Sequence, residues 1–226
     1  MLHFLGDGSA FNLEDDNTAA YMIVGDALIL IDCGEQICNR IIKRGLLDGV
    51  SRVHLLITHT HSDHIGSLEG FIYYMTYLTD KALSVYYPHP SRLDKMMYMQ
   101  GLEKSYHTKP VPEMIEGFRI EAVKQKHMFG AYGYFFYSDA ASFFYSGDTS
   151  VINARAVSEL RSGKITRIYH EVSFSSSPIH TPIIDLEKVF KPEERKAVYL
   201  MHFANDDNRK GCLARGFSIV STKDKD

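Results

Sequence analysis

The chain has 226 residues, 45% of them apolar and 23% charged, the balance of a globular protein that can bury one sizeable core. Its 25 basic and 28 acidic residues give a formal charge of −3, which argues against a nucleic-acid binder working through a broad basic surface and leaves only a local patch open. Cys33, Cys38 and Cys212 are odd in number and form no Cys-x-x-Cys pair, so neither a disulfide framework nor a thiolate zinc knuckle is expected.

No basic segment followed by a long apolar run opens the chain, and no stretch reaches membrane-spanning length. A cytoplasmic protein with one domain over residues 1–226 is expected. Residues 2–5 read as a strand, halted by Gly6-Asp7-Gly8-Ser9. Residues 21–24 and 28–31 flank Gly25-Asp26 as a tight hairpin, and the second arm runs into Asp32-Cys33-Gly34. Residues 37–47 have helical spacing, with Ile37, Ile41, Ile42 and Leu46 on one side and Gly49 as the closing residue. A β-branched and apolar run at 53–57 reads as a buried strand.

That strand leads into Thr58-His59-Thr60-His61-Ser62-Asp63-His64-Ile65-Gly66. Three imidazoles and a carboxylate within six residues suit zinc and similar first-row ions. Alternate residues of an extended chain share a face, so His59 and His61 can reach one ion together, while Asp63 and His64, past the turn, can serve a second. A solvated His-rich loop is the bland alternative. Its density after a buried strand tells against it.

Downstream, 68–78 is apolar and aromatic on nearly all sides, 83–87 is a strand, and 93–99 a helix whose methionines and tyrosine suit core or dimer surface better than a substrate box. His3, His54, His89 and His107 have no recognised partners. Residues 118–124 alternate as a strand and deliver His127; 132–137 and 142–145 form a hairpin whose second arm ends at Ser146-Gly147-Asp148-Thr149. A helix over 151–160, a strand over 165–169 ending at His170-Glu171, His180 before a helix through Val189, and a strand over 197–201 ending at His202 complete the pattern. The charged tail at 223–226 is expected to fray. Four strand-like runs therefore end on His59, Asp148, His170-Glu171 and His202, and one rim of a sheet sandwich would gather them.

The pattern His59-x-His61-x-Asp63-His64 resembles the metallo-β-lactamase-fold hydrolases, and the later segments extend the resemblance over most of the chain. It implies an αββα sandwich, two mixed sheets flanked by helices, with a dinuclear metal site. By resemblance, His59, His61, His127 and Asp148 take one ion, and Asp63, His64, Asp148 and His202 the other. Asp32 matches a supporting aspartate, although a plain turn residue fits it as well. A carboxylate can bridge two cations roughly 3.5–4 Å apart, so Asp148 suits the bridge; its alternative is to cap the following helix. A water shared by the ions becomes a nucleophile near neutral pH, with Asp63 able to accept its proton.

Glu171, then His180-Thr181, then His202 looks like the ribonuclease Z-like branch, in which His180 would protonate the leaving oxygen, oriented by Glu171. That branch's tRNA-processing members carry a long arm between the third histidine and the bridging aspartate. Here 20 residues separate His127 from Asp148, and the hairpin uses them up. The resemblance therefore implies a small-substrate relative: a phosphodiesterase opening nucleoside 3′,5′-cyclic monophosphates, as phage anti-Pycsar enzymes do. Two zinc ions are the default cofactors, with manganese or iron as substitutes, and a homodimer without extended RNA binding is implied. A tRNA 3′ endonuclease, a thioester or lactone hydrolase of the same fold, and a sensor module without turnover are the rivals.

Overall fold

The computed structural model describes residues 1–104 and 106–222, so the tail at 223–226 lies outside the described residues. The first sheet holds β1 (His3–Gly6), β2 (Ala19–Val24), β3 (Ala27–Ile31), β4 (Arg52–Leu56) and β5 (Ala82–Tyr86), side by side in chain order. β1, β2 and β3 are antiparallel, turning at Gly25-Asp26 as the sequence predicts, while β3, β4 and β5 run parallel. Every side chain from Leu28 to Ile31 is fully buried. Such an unbroken apolar run belongs to a strand covered on both faces, and helices provide one cover. α1 (Ile37–Lys43) and α3 (Leu68–Leu78) bury Ile37, Ile41, Leu68, Phe71, Ile72 and Met75 in the same core as the strands. α4 (Pro90–Met99) follows β5 and buries Leu93 and Met97 there too, so these two are core rather than substrate-facing.

The helix expected over 37–47 stops at Lys43. Gly45 takes φ +63°, and the Leu46 N–H reaches back to the Ile41 carbonyl at 3.2 Å. This is a left-handed termination that glycine adopts without a Cβ penalty, and it closes the helix four residues before Gly49.

The second sheet has the order β12-β11-β10-β9-β8-β7-β6. Its strands are β6 (Met114–Ile115), β7 (Phe118–Lys124), β8 (Tyr132–Tyr137), β9 (Ser142–Tyr145), β10 (Arg167–Glu171), β11 (Val198–Met201) and β12 (Ser218–Ile219). β6 to β9 are antiparallel and β9 to β12 parallel. β7, β8 and β9 occupy the residues expected of them. Alternation then divides the side chains. Tyr134, Phe136, Phe143, Tyr145, Tyr169 and Met201 join the core shared with the first sheet, whereas Phe135, Phe144, Ile168, Val198 and Leu200 join a second core. α5 (Ala154–Arg161), α6 (Ile183–Val189) and α7 (Asp206–Ala214) close that second core with Val157, Leu186 and Cys212. The layering is αββα. Among the described residues no helix is long and apolar enough to cross a membrane.

Parallel pairing is what makes a site. The C-terminal ends of β3, β4 and β5 in one sheet, and of β9, β10 and β11 in the other, necessarily fall on one side of their sheets, where α/β folds place ligands.

Candidate metal centre and active site

Beyond β4 the chain stays extended to His61, which caps a single helical turn, α2 (Ser62–Ile65). Extension puts His59 and His61 on one face, as their spacing predicts: His59 Nε2 and His61 Nδ1 are 3.1 Å apart. The turn then swings the Asp63 and His64 side chains elsewhere. His127, from the loop after β7, brings its Nε2 to 3.1 Å from the same His61 Nδ1. Its Nδ1 lies 2.7 Å from the Ile179 carbonyl, which only accepts, so Nδ1 carries the proton and Nε2 presents a lone pair. Burial holds His59, His61 and His127 below the ordinary imidazole range, and neighbouring imidazoles add to this. Three neutral imidazoles thus converge at a spacing close to the roughly 3.3 Å that a tetrahedral ion with ~2.0–2.1 Å bonds would set between its ligands.

The second donor group is Asp63, His64, Asp148 and His202, all buried, with candidate ligand atoms within 4.8 Å of one another. His64 Nδ1 is fixed at 2.8 Å from Asp32 Oδ2, leaving a buried Nε2 with no hydrogen-bond partner among the described residues. Against its burial, Asp148, Asp32 and Asp63 push His64 well above the usual imidazole range, so without an ion the cluster holds a proton where positive charge is wanted. These residues fit a divalent cation on that ground.

Asp148 stands between the two groups. Its Oδ2 lies 3.9 Å from His59 Nε2, 3.7 Å from His127 Nε2, 3.5 Å from His202 Nε2 and 3.9 Å from His180 Nδ1, while Oδ1 faces His64 Nε2 at 3.5 Å. Burial opposes its charge, yet His202 and His64 hold it well below the ordinary carboxylate range. The competing assignment, a helix cap, falls away. α5 begins at Ala154, not at 151, and its cap is Asn153, whose Oδ1 accepts the Ala156 N–H at 3.1 Å. Asp63, although buried, is likewise held below the carboxylate range by His64 and by its contact with His202.

Asp32 does more than turn the chain. It is fully buried and takes the Thr58 N–H on Oδ1 at 2.7 Å and the Thr58 hydroxyl on Oδ2 at 2.8 Å, besides holding His64. Asp32 and His202 both sit at positive φ, 65° and 66°, a conformation costing a residue with a Cβ roughly 1 kcal/mol or more.

β10 extends through His170 and Glu171, and alternation separates the two. His170 is in register with Leu200, on the face of the second core, and is in neither donor group. Glu171 turns to the rim. Its Oε1 accepts the Thr149 and Thr181 N–H groups at 3.1 and 3.0 Å and lies 3.3 Å from His180 Nδ1. Burial, then the charge of Asp148, raises Glu171 well above the carboxylate range. His180 is a quarter exposed and lines a cleft of about 530 Å³ together with His202, Phe11 and Phe174.

Comparison with known proteins agrees with this geometry. A family model described as anti-Pycsar protein Apyc1 matches residues 1–222. The chain belongs to the anti-Pycsar Apyc1 family. It is 28% identical over 235 residues to a family protein of Saccharibacillus brassicae, covering 95% of this chain and 93% of the relative. It is 26% identical over 226 residues to one of Paenibacillus harenae, with 90% of each covered. Among solved structures, the metallo-β-lactamase-fold protein YhfI of Bacillus subtilis superposes with a TM-score of 0.72 at 18% identity over 97% of this chain and 94% of that one. The fold is that of the metallo-β-lactamases, as the histidine motif predicts.

All the residues singled out for this family member from the sequence lie at one rim. Three contributors were not legible. Thr58 acts through a hydroxyl rotamer, Ile179 through a backbone carbonyl, and Phe11 lies in a turn-rich loop far from the motif in sequence; nothing in residue type marks any of them.

Proposed function

We propose that this family member is a metal-dependent phosphodiesterase that opens nucleoside 3′,5′-cyclic monophosphates to linear monophosphates. The observation that carries the proposal is the placement of His180, backed by Glu171, beside a cluster of seven metal-competent side chains, one of which, His202, lines with His180 a cleft of about 530 Å³. That volume suits a mononucleotide. Two further observations support it: the family's name, and the β8–β9 hairpin, which fills the interval between His127 and Asp148 and leaves no arm to grip a folded RNA.

In this proposal His59, His61 and His127 would hold one divalent ion and Asp63, His64 and His202 another, with Asp148 as a ligand that both groups could share. The donor set suits zinc first, then manganese or iron. When bound, such ions neutralise phosphate charge and acidify a water. The remaining work falls to the chain. Asp32 and Ile179 lock the tautomers of His64 and His127, so that each presents Nε2. Asp63, kept ionised beside His202, is the acceptor for the proton that the attacking water gives up. As that water's oxygen bonds to phosphorus and the ring P–O bond breaks, His180 gives its Nε2 proton to the leaving oxygen, while Glu171 Oε1 receives Nδ1–H and steadies the imidazole.

Side-by-side assays at one salt concentration test it. Several cyclic mononucleotides should be opened, and precursor tRNA cleaved poorly or not at all. Site-specific tRNA cleavage with inert cyclic nucleotides would establish the endonuclease instead.

A further inference from the structure

Phe11 is 93% exposed, yet its loop is firmly held. The Phe203 carbonyl accepts both the Ser9 N–H and the Asn12 Nδ2–H at 2.9 Å, so the residues on either side of Phe11 are fixed to one atom. Asn12 Oδ1 accepts the Glu14 and Asp15 N–H groups at 2.9 and 3.1 Å, and Arg209 grips Asp7 through two hydrogen bonds of 2.6 and 3.2 Å. Phe203 follows His202. The loop presenting Phe11 is therefore bolted to the strand end that presents a candidate metal ligand, and both residues line the same cleft.

Phe174 lines that cleft as well, and it is braced from outside. The Arg215 guanidinium stands 5.4 Å from its ring centre, and the ring edge rests on Gly211. A Cβ added at Gly211 would lie 2.5 Å from Phe174 Cε1, which accounts for a glycine within α7, where alanine would favour the helix more. Two aromatic side chains are thus positioned in a cleft that His180, His202, Asn205 and Asn208 also line, and the more exposed of them contributes almost no packing to the fold.

We propose that Phe11, aided by Phe174, is the surface on which the substrate's nucleobase stacks, making Phe11 a binding determinant that accepts any flat base without reading its edge. The proposal rests on the phosphodiesterase activity proposed above. Every base has a π-face, so stacking on an aromatic side chain gives affinity with little discrimination. Within the lining, His202 and His180 belong to the proposed phosphate end, and Phe11 and Phe174 offer the flat apolar surface that a base requires.

The test is steady-state hydrolysis of adenosine and uridine 3′,5′-cyclic monophosphates and of the baseless 1-deoxyribose 3′,5′-cyclic phosphate, by the wild type, Phe11→Ala and Phe11→Trp. The ratio of kcat/KM for each nucleotide to that for the baseless diester should fall roughly 5- to 150-fold in Phe11→Ala, the span for losing one base–aromatic stack. The loss should fall mainly on KM, and Phe11→Trp should recover it. An active wild type whose ratio Phe11→Ala leaves unchanged overturns the stacking role alone. A wild type inert on all three diesters overturns the phosphodiesterase activity and the stacking role with it. If Phe11→Ala instead turns a dimer into a monomer and lowers all three activities equally, Phe11 belongs to a contact between copies and the stacking role is overturned.

Discussion

Asp148 and His180 lie 3.9 Å apart, and their substitutions should have opposite signatures. Asn at 148 keeps the shape but removes the charge facing five imidazoles, so Asp148→Asn should lose bound metal and turnover together. Near-normal metal content and activity in Asp148→Asn would remove the bridging role. His180→Ala should keep its metal and lose roughly 10²–10⁴-fold in rate, with a smaller loss on nitrophenyl esters, whose leaving groups need little protonation. Metal loss in His180→Ala would make it a ligand, which its donor-atom spacing to His127 and Asp148 also permits. His170 gives a prediction about stability. Burial lowers this imidazole to about 4, while its Nδ1 rests on the Glu171 carbonyl at 2.7 Å and its Nε2 has no hydrogen-bond partner among the described residues. Between pH 6.5 and 4 the unfolded chain takes up a proton that the native chain refuses. The stabilisation is therefore complete above pH 6.5 and lost as pH falls, by about 3 kcal/mol. Urea unfolding of chelated protein at pH 7.5 and 5 should show a steeper fall for the wild type than for His170→Gln; parallel slopes would rule His170 out as a cause.

At the scale of elements, two helices start on asparagine side-chain caps rather than on a site residue. α5 is capped by Asn153 and α7 by Asn205, which accepts the Asn208 N–H at 3.0 Å. Asn153→Ala should cost about 1 kcal/mol of stability and leave metal content unchanged. A matched loss of metal on this substitution would show that α5 and the Asp148 loop act as one unit. Strand ends matter more than strand lengths here. Glu171 Oε1 joins the Thr149 and Thr181 backbones and so ties the loop after β9 to the loop before α6. It positions two neighbours of candidate site residues while touching His180.

For the whole molecule, the candidate metal centre is a local excess of buried carboxyl groups. Asp32, Asp63, Asp148 and Glu171 are each at most 5% exposed, and among the described residues their partners are imidazoles, backbone N–H groups and the Thr58 hydroxyl. Cations that bind the native chain and not the unfolded one add stability by mass action. Chelation should lower Tm by several degrees, zinc or manganese should restore it, and elemental analysis should approach two ions per chain. An unchanged Tm in a chain that takes up neither metal would refute the site.

Much of this was legible because the relevant patterns are local. Period-two alternation placed β7, β8 and β9 on their observed residues, and the density of donors between His59 and His64 is enough by itself to announce metal chemistry. Helix ends were less legible: Gly45 and Asn153 decide them through a positive φ and a capping rotamer, and several nearby residues could have done either. The short β6, β12 and α2 have too few residues for any periodicity to show. What only the tertiary structure decided is which strands run parallel. That pairing brings Asp32, His59, Asp148, Glu171 and His202 to one rim although 170 positions separate the first from the last. It also decided that an exposed phenylalanine from the first loop stands in the same cleft as the last histidine, because hydrogen bonds to one carbonyl, at Phe203, hold them together.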